Sequence, residues 1–91
     1  MSSLQGKNAI ITGGGRGLGK AVALLLAQEG VNIGITGRNE ENLKNTVDEL
    51  QKNGVKATYA VFNVANKAEV DNGIKELVST LGGVDILVNN A

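Results

Sequence analysis

The sequence predicts a three-layer α/β/α protein with a parallel sheet of strand order 3-2-1-4. Short β-branched runs alternate with segments of helical periodicity in the order βαβαβαβ, and this alternation produces parallel strands with helices on both faces of the sheet. The 91 residues contain no internal repeat, low-complexity tract or linker, so we expect a single domain. The first run is followed directly by a glycine-rich segment that leads into the first helix.

The first part of the chain supplies two predicted strands and the helix between them. Residues 8–12 (NAIIT) form a short β-branched run that ends at a glycine, as expected of a buried strand. Residues 18–29 are apolar nearly all round, which predicts a helix that is covered on more than one side and ends at Gly30. Apolar residues then alternate in a second strand over 31–37.

Two amphipathic helices and two further strands follow. Asn39 is a suitable N-cap for a helix that ends near Gly54, and the glutamates of its first turn suit the positive end of the helix dipole. The third strand is predicted over 57–62. Asn66 then begins a helix that ends at a glycine pair, and residues 84–89 form the fourth strand.

The fourth strand carries apolar residues on both faces, as a central parallel strand does. The order 3-2-1-4 nevertheless places it at an edge of the sheet. We therefore expect residues 1–91 to be the N-terminal part of a single domain, the first half of a doubly wound fold whose sheet continues beyond this chain.

The composition excludes several classes of function. Nine basic side chains balance nine acidic ones, so no net charge attracts nucleic acid or an anionic membrane. The sequence has no cysteine and no histidine, which removes thiol nucleophiles, imidazole bases and zinc or iron sites. Without a signal-peptide pattern or a long apolar stretch, we expect a cytoplasmic protein with no metal, nucleic-acid or membrane partner.

The glycine-rich segment TGGGRGLGKA, residues 12–21, suits phosphate binding, and three loop types compete for it. A P-loop matches the spacing G-x-x-x-x-G-K, but Ala21 replaces the hydroxyl residue that ligates magnesium. The G-x-G-x-x-G fingerprint fits no register of the segment. The pattern T-G-x-x-x-G-x-G fits residues 12–19, between a strand and a helix, where backbone amides can hold a pyrophosphate.

This segment resembles the glycine loop of the short-chain dehydrogenase/reductase family, and a second family motif, N-N-A-G, begins at residues 89–91. The resemblance covers the whole chain, and within the family the chain is similar to the 3-oxoacyl-acyl-carrier-protein reductases. It implies a Rossmann-type fold that binds a dinucleotide. The predicted binding residues are Gly13, Gly15, Arg16, Gly17, Leu18, Gly19, Arg38, Asn63, Val64, Asn90 and Ala91.

The resemblance also implies where several of these side chains act. Asn63 and Val64 would contact the adenine ring, and Asn90 would lie near a ribose. Leu18 follows a glycine of the loop, and from this position we interpret it as packing beneath the cofactor as well as starting the buried helix. Asn63 equally suits an Asx-turn that closes the third strand, and this alternative stays open.

The end of the second strand predicts which cofactor is used. NAD sites of this type place an acid there, about 20 residues beyond the glycine loop, to bind the ribose 2′-hydroxyl. This sequence has Gly37 and Arg38 at that position. Because Arg16 and Arg38 could both bind a 2′-phosphate through paired hydrogen bonds, we predict NADP(H). Ordinary solvated loop arginines are the alternative.

No catalytic residue is predicted within the chain. Tyr59 is the single tyrosine, and no lysine follows it four residues later, so it is interpreted as part of the third strand. The resemblance implies that a serine, a tyrosine and a lysine beyond Ala91 would carry out the chemistry. The chain by itself is therefore expected to be inactive.

For the parent protein, the resemblance implies NADPH-dependent reduction of a carbonyl group. A 3-oxoacyl thioester is the favoured substrate, free or bound to an acyl carrier, while a sugar, a steroid or another ketone stays open. We expect a homo-oligomer. The alternative function is a non-catalytic nucleotide-binding or interaction module in which the edge of the fourth strand pairs with a partner.

Overall fold

The computed structural model describes residues 3–63 and 65–90. Its strands and helices alternate along the chain, as the sequence predicts. The elements are β1 (Asn8–Thr12), α1 (Gly17–Gln28), β2 (Asn32–Gly37), α2 (Glu40–Gln51), β3 (Ala57–Val61), α3 (Lys67–Leu81) and β4 (Ile86–Asn89). Within these described ranges, no helix is both long enough and apolar enough to cross a membrane.

The four strands form one parallel sheet with the order β3-β2-β1-β4, which confirms the predicted topology. β1 lies inside the sheet and pairs with β2 on one side and with β4 on the other. At its carboxyl end, Thr12 is in register with both Thr36 and Asn89. Because all four strands run in the same direction, the segments that follow them leave from one edge of the sheet.

Helices cover both faces of the sheet, so the three predicted layers are present. On one face, Ala23 of α1 and the apolar side of α2 pack against a core that includes Ile11. On the other face, α3 places Leu77 and Leu81 against Ile10. Successive residues of β1 point to opposite faces, and both isoleucines are fully buried.

The ends of the helices follow the local signals in the sequence. The side-chain oxygen of Asn39 caps α2 by accepting a hydrogen bond from the Asn42 amide at 3.0 Å. The side-chain oxygen of Asn66 caps α3 by accepting one from the Glu69 amide at 3.2 Å. α3 ends at Gly82, whose φ of 91° lies in the left-handed region that favours glycine.

β4 is two residues shorter than predicted, since it begins at Ile86 rather than at Val84. The Asp85 carboxylate accepts a hydrogen bond from the Asn8 amide at 2.9 Å. The amide of Asp85 in turn donates to the Asn8 carbonyl at 2.8 Å. A side chain therefore replaces one backbone partner at the amino end of the sheet, and regular strand pairing starts one residue later.

The prediction that the first helix is covered on more than one side is wrong for the described chain. α1 buries Ala23 and Ala27, whereas Leu18 and Leu25 are 71% and 63% exposed. Leu87 of β4 is 65% exposed. One apolar side of α1 and the outer part of β4 are therefore uncovered by the residues that the structure describes.

A glycine in the middle of α3 weakens the helix in isolation but has a packing reason here. A β-carbon at Gly73 would overlap the ring of Phe62, which is buried under the helix. Glycine at this position therefore allows α3 to approach the sheet closely.

Candidate functional site

The carboxyl edge of the sheet brings together the segments that the sequence analysis singles out. The glycine loop, which we define as residues 13–16, follows β1, while Arg38 follows β2, Asn63 lies beyond β3 and Asn90 follows β4. Ligands of open parallel sheets bind at this edge, where the strand order reverses. In the order β3-β2-β1-β4 this reversal lies between β1 and β4. The glycine loop follows β1 and therefore lies at the reversal.

The glycine loop and the start of α1 contain turns that require residues without a β-carbon. Gly13 and Gly17 have φ angles of 69° and 62°, in the left-handed region, whereas Arg16 is extended with a φ of −163°. Gly19 has a different requirement, because a β-carbon there would overlap the carbonyl oxygen of Gly13. The first turn of α1 can therefore lie directly against the loop.

Two threonines hold the glycine loop against β2 and α2. They are the fully buried polar side chains among the described residues. The Thr36 hydroxyl accepts a hydrogen bond from the Gly13 amide at 3.3 Å, and the Thr36 carbonyl accepts one from the Gly14 amide at 3.0 Å. The Thr46 hydroxyl donates to the Gly15 carbonyl at 3.1 Å. Hydrogen bonds from two neighbouring elements thus fix the backbone of the loop.

The amino terminus of α1 lacks the groups that neutralise the other two helices. The side chain of its N-cap residue, Arg16, makes no capping hydrogen bond, and the first turn carries no acidic residue. α2 and α3 each have an asparagine cap and at least one glutamate in the first turn. In the described part of the chain, α1 is therefore the helix whose positive end is uncompensated, an arrangement that suits an anion.

A surface cavity of about 420 Å³ opens beside the glycine loop. The loop, the end of β2 and the start of α2 form its wall. The lining residues are Gly13, Gly15, Arg16, Gly37, Arg38, Asn39, Asn42 and Leu43. Neither arginine forms a salt bridge with a residue that the structure describes. The lining therefore combines two guanidinium groups with no carboxylate.

Seven of the predicted binding residues form two groups in the structure. The first group lines the cavity and contains Gly13, Gly15, Arg16 and Arg38. The second group lies in the first turn of α1 and contains Gly17, Leu18 and Gly19. The expectation that Leu18 starts a buried helix face is wrong, because this side chain is largely exposed. Its packing beneath a cofactor stays a prediction.

Asn89 and Asn90 connect the end of β4 with β1. The Thr12 hydroxyl donates to the side-chain oxygen of Asn89 at 3.0 Å and accepts a hydrogen bond from the Asn90 amide at 2.9 Å. The side-chain amide of Asn90 donates to the Gly13 carbonyl at 3.3 Å. Asn90 thus supports the glycine loop, and its contact with a ribose stays a prediction.

Asn63 lies beyond β3 but does not line the cavity. Its side-chain oxygen accepts a hydrogen bond from the Ala65 amide at 2.9 Å, which is the Asx-turn that the sequence analysis leaves open. A contact between Asn63 and adenine stays a prediction. Val64 and Ala91 lie outside the described residues, so their predicted roles are untested.

Tyr59 lines a separate cavity of about 470 Å³ at the outer edge of β3. Its hydroxyl donates to the Glu40 carboxylate at 3.0 Å. Desolvation, followed by this hydrogen bond and the negative charge of Glu40, raises the pKa of Tyr59 above its ordinary value of 10.0. A phenol with a raised pKa stays protonated at neutral pH and is a poor general base. This agrees with the interpretation of Tyr59 as a strand residue.

The sequence analysis missed several residues that shape the site. Asn42 lines the cavity, while Thr36 and Thr46 bind the backbone of the glycine loop. A signal was available for Thr46, because it falls beside Val47 on the apolar face of α2, where a polar group needs a partner. No local signal marks Asn42, which comes near Gly15 through the packing of α2 against the loop.

Comparison with protein families agrees with the motifs at the two strand ends. A family model described as short chain dehydrogenase matches residues 7–91, which is nearly the whole chain. The chain belongs to the short chain dehydrogenase family. This membership confirms the family that the T-G-x-x-x-G-x-G loop and the N-N-A motif indicate.

Curated relatives of this family member align with most or all of the chain. An uncharacterized oxidoreductase of Staphylococcus aureus (strain USA300) is 43% identical over 91 residues, which make up 100% of this chain and 38% of the relative. A 3-oxoacyl-acyl-carrier-protein reductase of Staphylococcus epidermidis is 42% identical over 86 residues, or 93% of this chain and 35% of the relative. The chain thus spans little more than a third of the length of these relatives.

Solved structures of the family share the fold. An NAD+-bound xylitol dehydrogenase matches with a TM-score of 0.95 and 33% identity, over 99% of this chain and 35% of that one. L-sorbose reductase from Gluconobacter frateurii, complexed with NADPH and L-sorbose, matches with a TM-score of 0.91 and 38% identity, over 97% of this chain and 34% of that one. These likenesses confirm the Rossmann-type α/β/α architecture.

The contact between Gly19 and the glycine loop generates a stability prediction. Gly19→Ala should lower the free energy of unfolding by about 1–3 kcal/mol, the usual cost of overpacking, because the new methyl group meets backbone that cannot rotate away. This loss should appear although alanine is the better helix former. Urea denaturation measures it, with the exposed Gln28→Ala of the same helix as the control, expected within about 0.5 kcal/mol of the parent. An unchanged or raised stability of Gly19→Ala would contradict the packing described.

Proposed function

We propose that this chain binds NADP(H) and that the protein to which it belongs is an NADPH-dependent oxidoreductase that reduces a carbonyl group. The observation that carries the proposal is the cavity beside the glycine loop, whose lining contains two arginines and no acid. Membership of the short chain dehydrogenase family supports a nicotinamide cofactor rather than another phosphate-bearing ligand.

The diphosphate of the cofactor would lie at the amino terminus of α1. The first turn of this helix has neither a side-chain cap nor an acidic residue, so its amides and its dipole are available to an anion. The space where a β-carbon of Gly17 would stand is open. A phosphate could therefore approach the backbone more closely there than it could approach a residue with a side chain.

The 2′-phosphate that distinguishes NADP from NAD would be bound by Arg16 and Arg38. A guanidinium forms two parallel hydrogen bonds with a phosphate, whereas an acid after β2 would bind the ribose hydroxyls of NAD and repel the phosphate. Similar structures contain either cofactor, NAD+ in the xylitol dehydrogenase and NADPH in the L-sorbose reductase. The preference proposed here therefore rests on the charges of this chain.

The remaining predicted residues complete the proposed site. Asn63 and Val64 would contact the adenine, and Leu18 would pack beneath the cofactor from the exposed first turn of α1. Asn90 would lie near a ribose at the end of β4, and Ala91, which is outside the described residues, would also belong to the cofactor-binding site. The hydrogen bond from Asn90 to the Gly13 carbonyl supports this position, because it places the asparagine beside the loop.

Bound NADPH would supply a hydride from its nicotinamide ring to the carbonyl carbon of the substrate. The described residues would bind and orient the adenosine and diphosphate part of the cofactor, and we assign none of them to proton transfer. We propose a 3-oxoacyl thioester as the substrate, because the relative from Staphylococcus epidermidis is named as a reductase of that class. Proton transfer and substrate recognition would then belong to other parts of the parent protein.

Exposed apolar surface favours a second candidate, an interaction module that associates without nucleotide. Leu18, Leu25 and Leu87 are each more than 60% exposed, and β4 is an outer strand of the sheet. Such surfaces promote association between chains, and we also propose a homo-oligomer for the parent protein.

The two candidates differ in how the mass of the chain responds to cofactor. Size-exclusion chromatography with light scattering, run with and without NADPH, should show a monomer that retains the cofactor, because the cavity and the terminus of α1 lie within a single chain. A dimer that retains no nucleotide would instead support the interaction module.

The proposed role of Arg38 predicts a change in cofactor selectivity. Arg38→Ala should weaken NADP+ binding about tenfold to a hundredfold, the equivalent of losing a charge-assisted contact of about 1.5–3 kcal/mol, and should leave NAD+ binding nearly unchanged. Calorimetric titration of the parent chain and of the variant with each cofactor measures the ratio of the NADP+ and NAD+ dissociation constants. Lys44→Ala is the matched control, because it removes an equal charge from an exposed position of α2 that does not line the cavity. Equal losses for the two cofactors would contradict the assignment of Arg38.

A further inference from the structure

We infer that Thr46 is a positioning residue for diphosphate binding, which acts through the backbone of the glycine loop and touches no cofactor atom. The inference rests on the proposed function, since it assigns α2 a part in binding the diphosphate. Thr46 lies inside α2 with no exposed surface. Its hydroxyl donates a hydrogen bond of 3.1 Å to the Gly15 carbonyl, 31 residues earlier in the chain.

This hydrogen bond determines the direction of the next backbone amide. In a trans peptide, the carbonyl oxygen and the following N–H point in opposite directions. Because the Gly15 carbonyl points to the Thr46 hydroxyl, the Arg16 N–H must point away from α2. A rotation of this peptide would turn a carbonyl oxygen outward instead and would repel a diphosphate.

Packing of the same helix supports the same assignment. A β-carbon on Gly15 would lie 3.2 Å from the side chain of Leu43 and 3.5 Å from that of Asn42, so the loop rests on the turn of α2 that precedes Thr46. Arg38 lies just ahead of this helix and lines the same cavity. α2 therefore holds the glycine loop and the proposed 2′-phosphate contact as one unit.

A purely structural role would not require this residue. Thr46 lies among the buried apolar residues Leu43, Val47 and Leu50 of α2, where valine has the same shape and brings no polar atom to satisfy. A helical threonine can also satisfy its hydroxyl within its own helix, as Thr80 does by donating to the Glu76 carbonyl at 3.0 Å. Thr46 instead donates to the glycine loop.

The test compares Thr46→Val with Thr46→Ser, which keeps the hydroxyl, and with Thr80→Val, which removes a matched hydroxyl far from the loop. Thr46→Val should weaken NADP+ binding about fivefold to thirtyfold, because binding must then restore the loop conformation that the hydroxyl otherwise holds in the free chain. Binding of 2′-AMP, which has no diphosphate, should weaken by a smaller factor than binding of NADP+, because Arg38, one of its two proposed contacts, follows β2 and lies outside the glycine loop. Thr46→Ser should keep most of the NADP+ affinity of the parent chain, and Thr80→Val should bind NADP+ as tightly as the parent chain does.

A second measurement needs no nucleotide. The 15N order parameters of Gly15 and Arg16 should fall from about 0.85, the value of rigid backbone, to below about 0.6 in Thr46→Val. Thr46→Ala provides the same comparison if the valine variant does not fold.

The inference would be overturned if Thr46→Val weakened the binding of NADP+ and of 2′-AMP by the same factor. It would also be overturned if the loop amides kept high order parameters in that variant. A parent chain that binds no NADP+ would overturn the proposed function instead. In that case the order parameters alone decide whether Thr46 positions the loop.

Discussion

The pairing of β1 with β2 on one side and β4 on the other is the constraint on which the rest of the structure depends. Thr12 stands in register with Thr36 and with Asn89, so the segments after these strands leave the sheet side by side. A shift of register would move the glycine loop away from Arg38 and would turn buried isoleucines to the opposite face. The site is therefore a consequence of how the sheet is assembled, and the loop glycines supply the conformations that the assembly requires.

The three helices differ in how the sequence treats the exposed backbone amides at their amino termini. α2 and α3 begin with asparagine caps and early glutamates, which satisfy their amides and oppose their dipoles. α1 begins at an arginine whose side chain makes no capping bond, and its first turn has no acid. Side-chain caps are thus present at the starts of α2 and α3 and absent at the start of α1, where an anion is proposed to bind. The buried residues Thr36 and Thr46 form hydrogen bonds with the backbone of the adjacent glycine loop. The loop is therefore held in place although α1 has no side-chain cap.

Local patterns predicted much of the fold, because caps, glycine stops and alternating apolar residues act over a few positions. The topology also followed from the sequence, since alternating strands and helices permit few arrangements. The predictions that were wrong or incomplete share one cause, which is contact between residues far apart in the sequence. Asp85 shortens β4 by bonding to Asn8, and Thr46 reaches the loop through the packing of α2. The exposed side of α1 was misjudged because apolar composition shows that a surface suits burial and does not show what covers it.

We propose that the amino terminus of α1 and the adjacent arginines form an anion site for a 2′-phosphorylated dinucleotide. An amide chemical-shift titration of the 15N-labelled chain with NADP+ tests this site. The largest shifts are expected on the glycine loop, on the first turn of α1 and on Arg38, while the capped start of α3 should change little. Shifts confined to the cavity around Tyr59, or the absence of any shift in the first turn of α1, would contradict it.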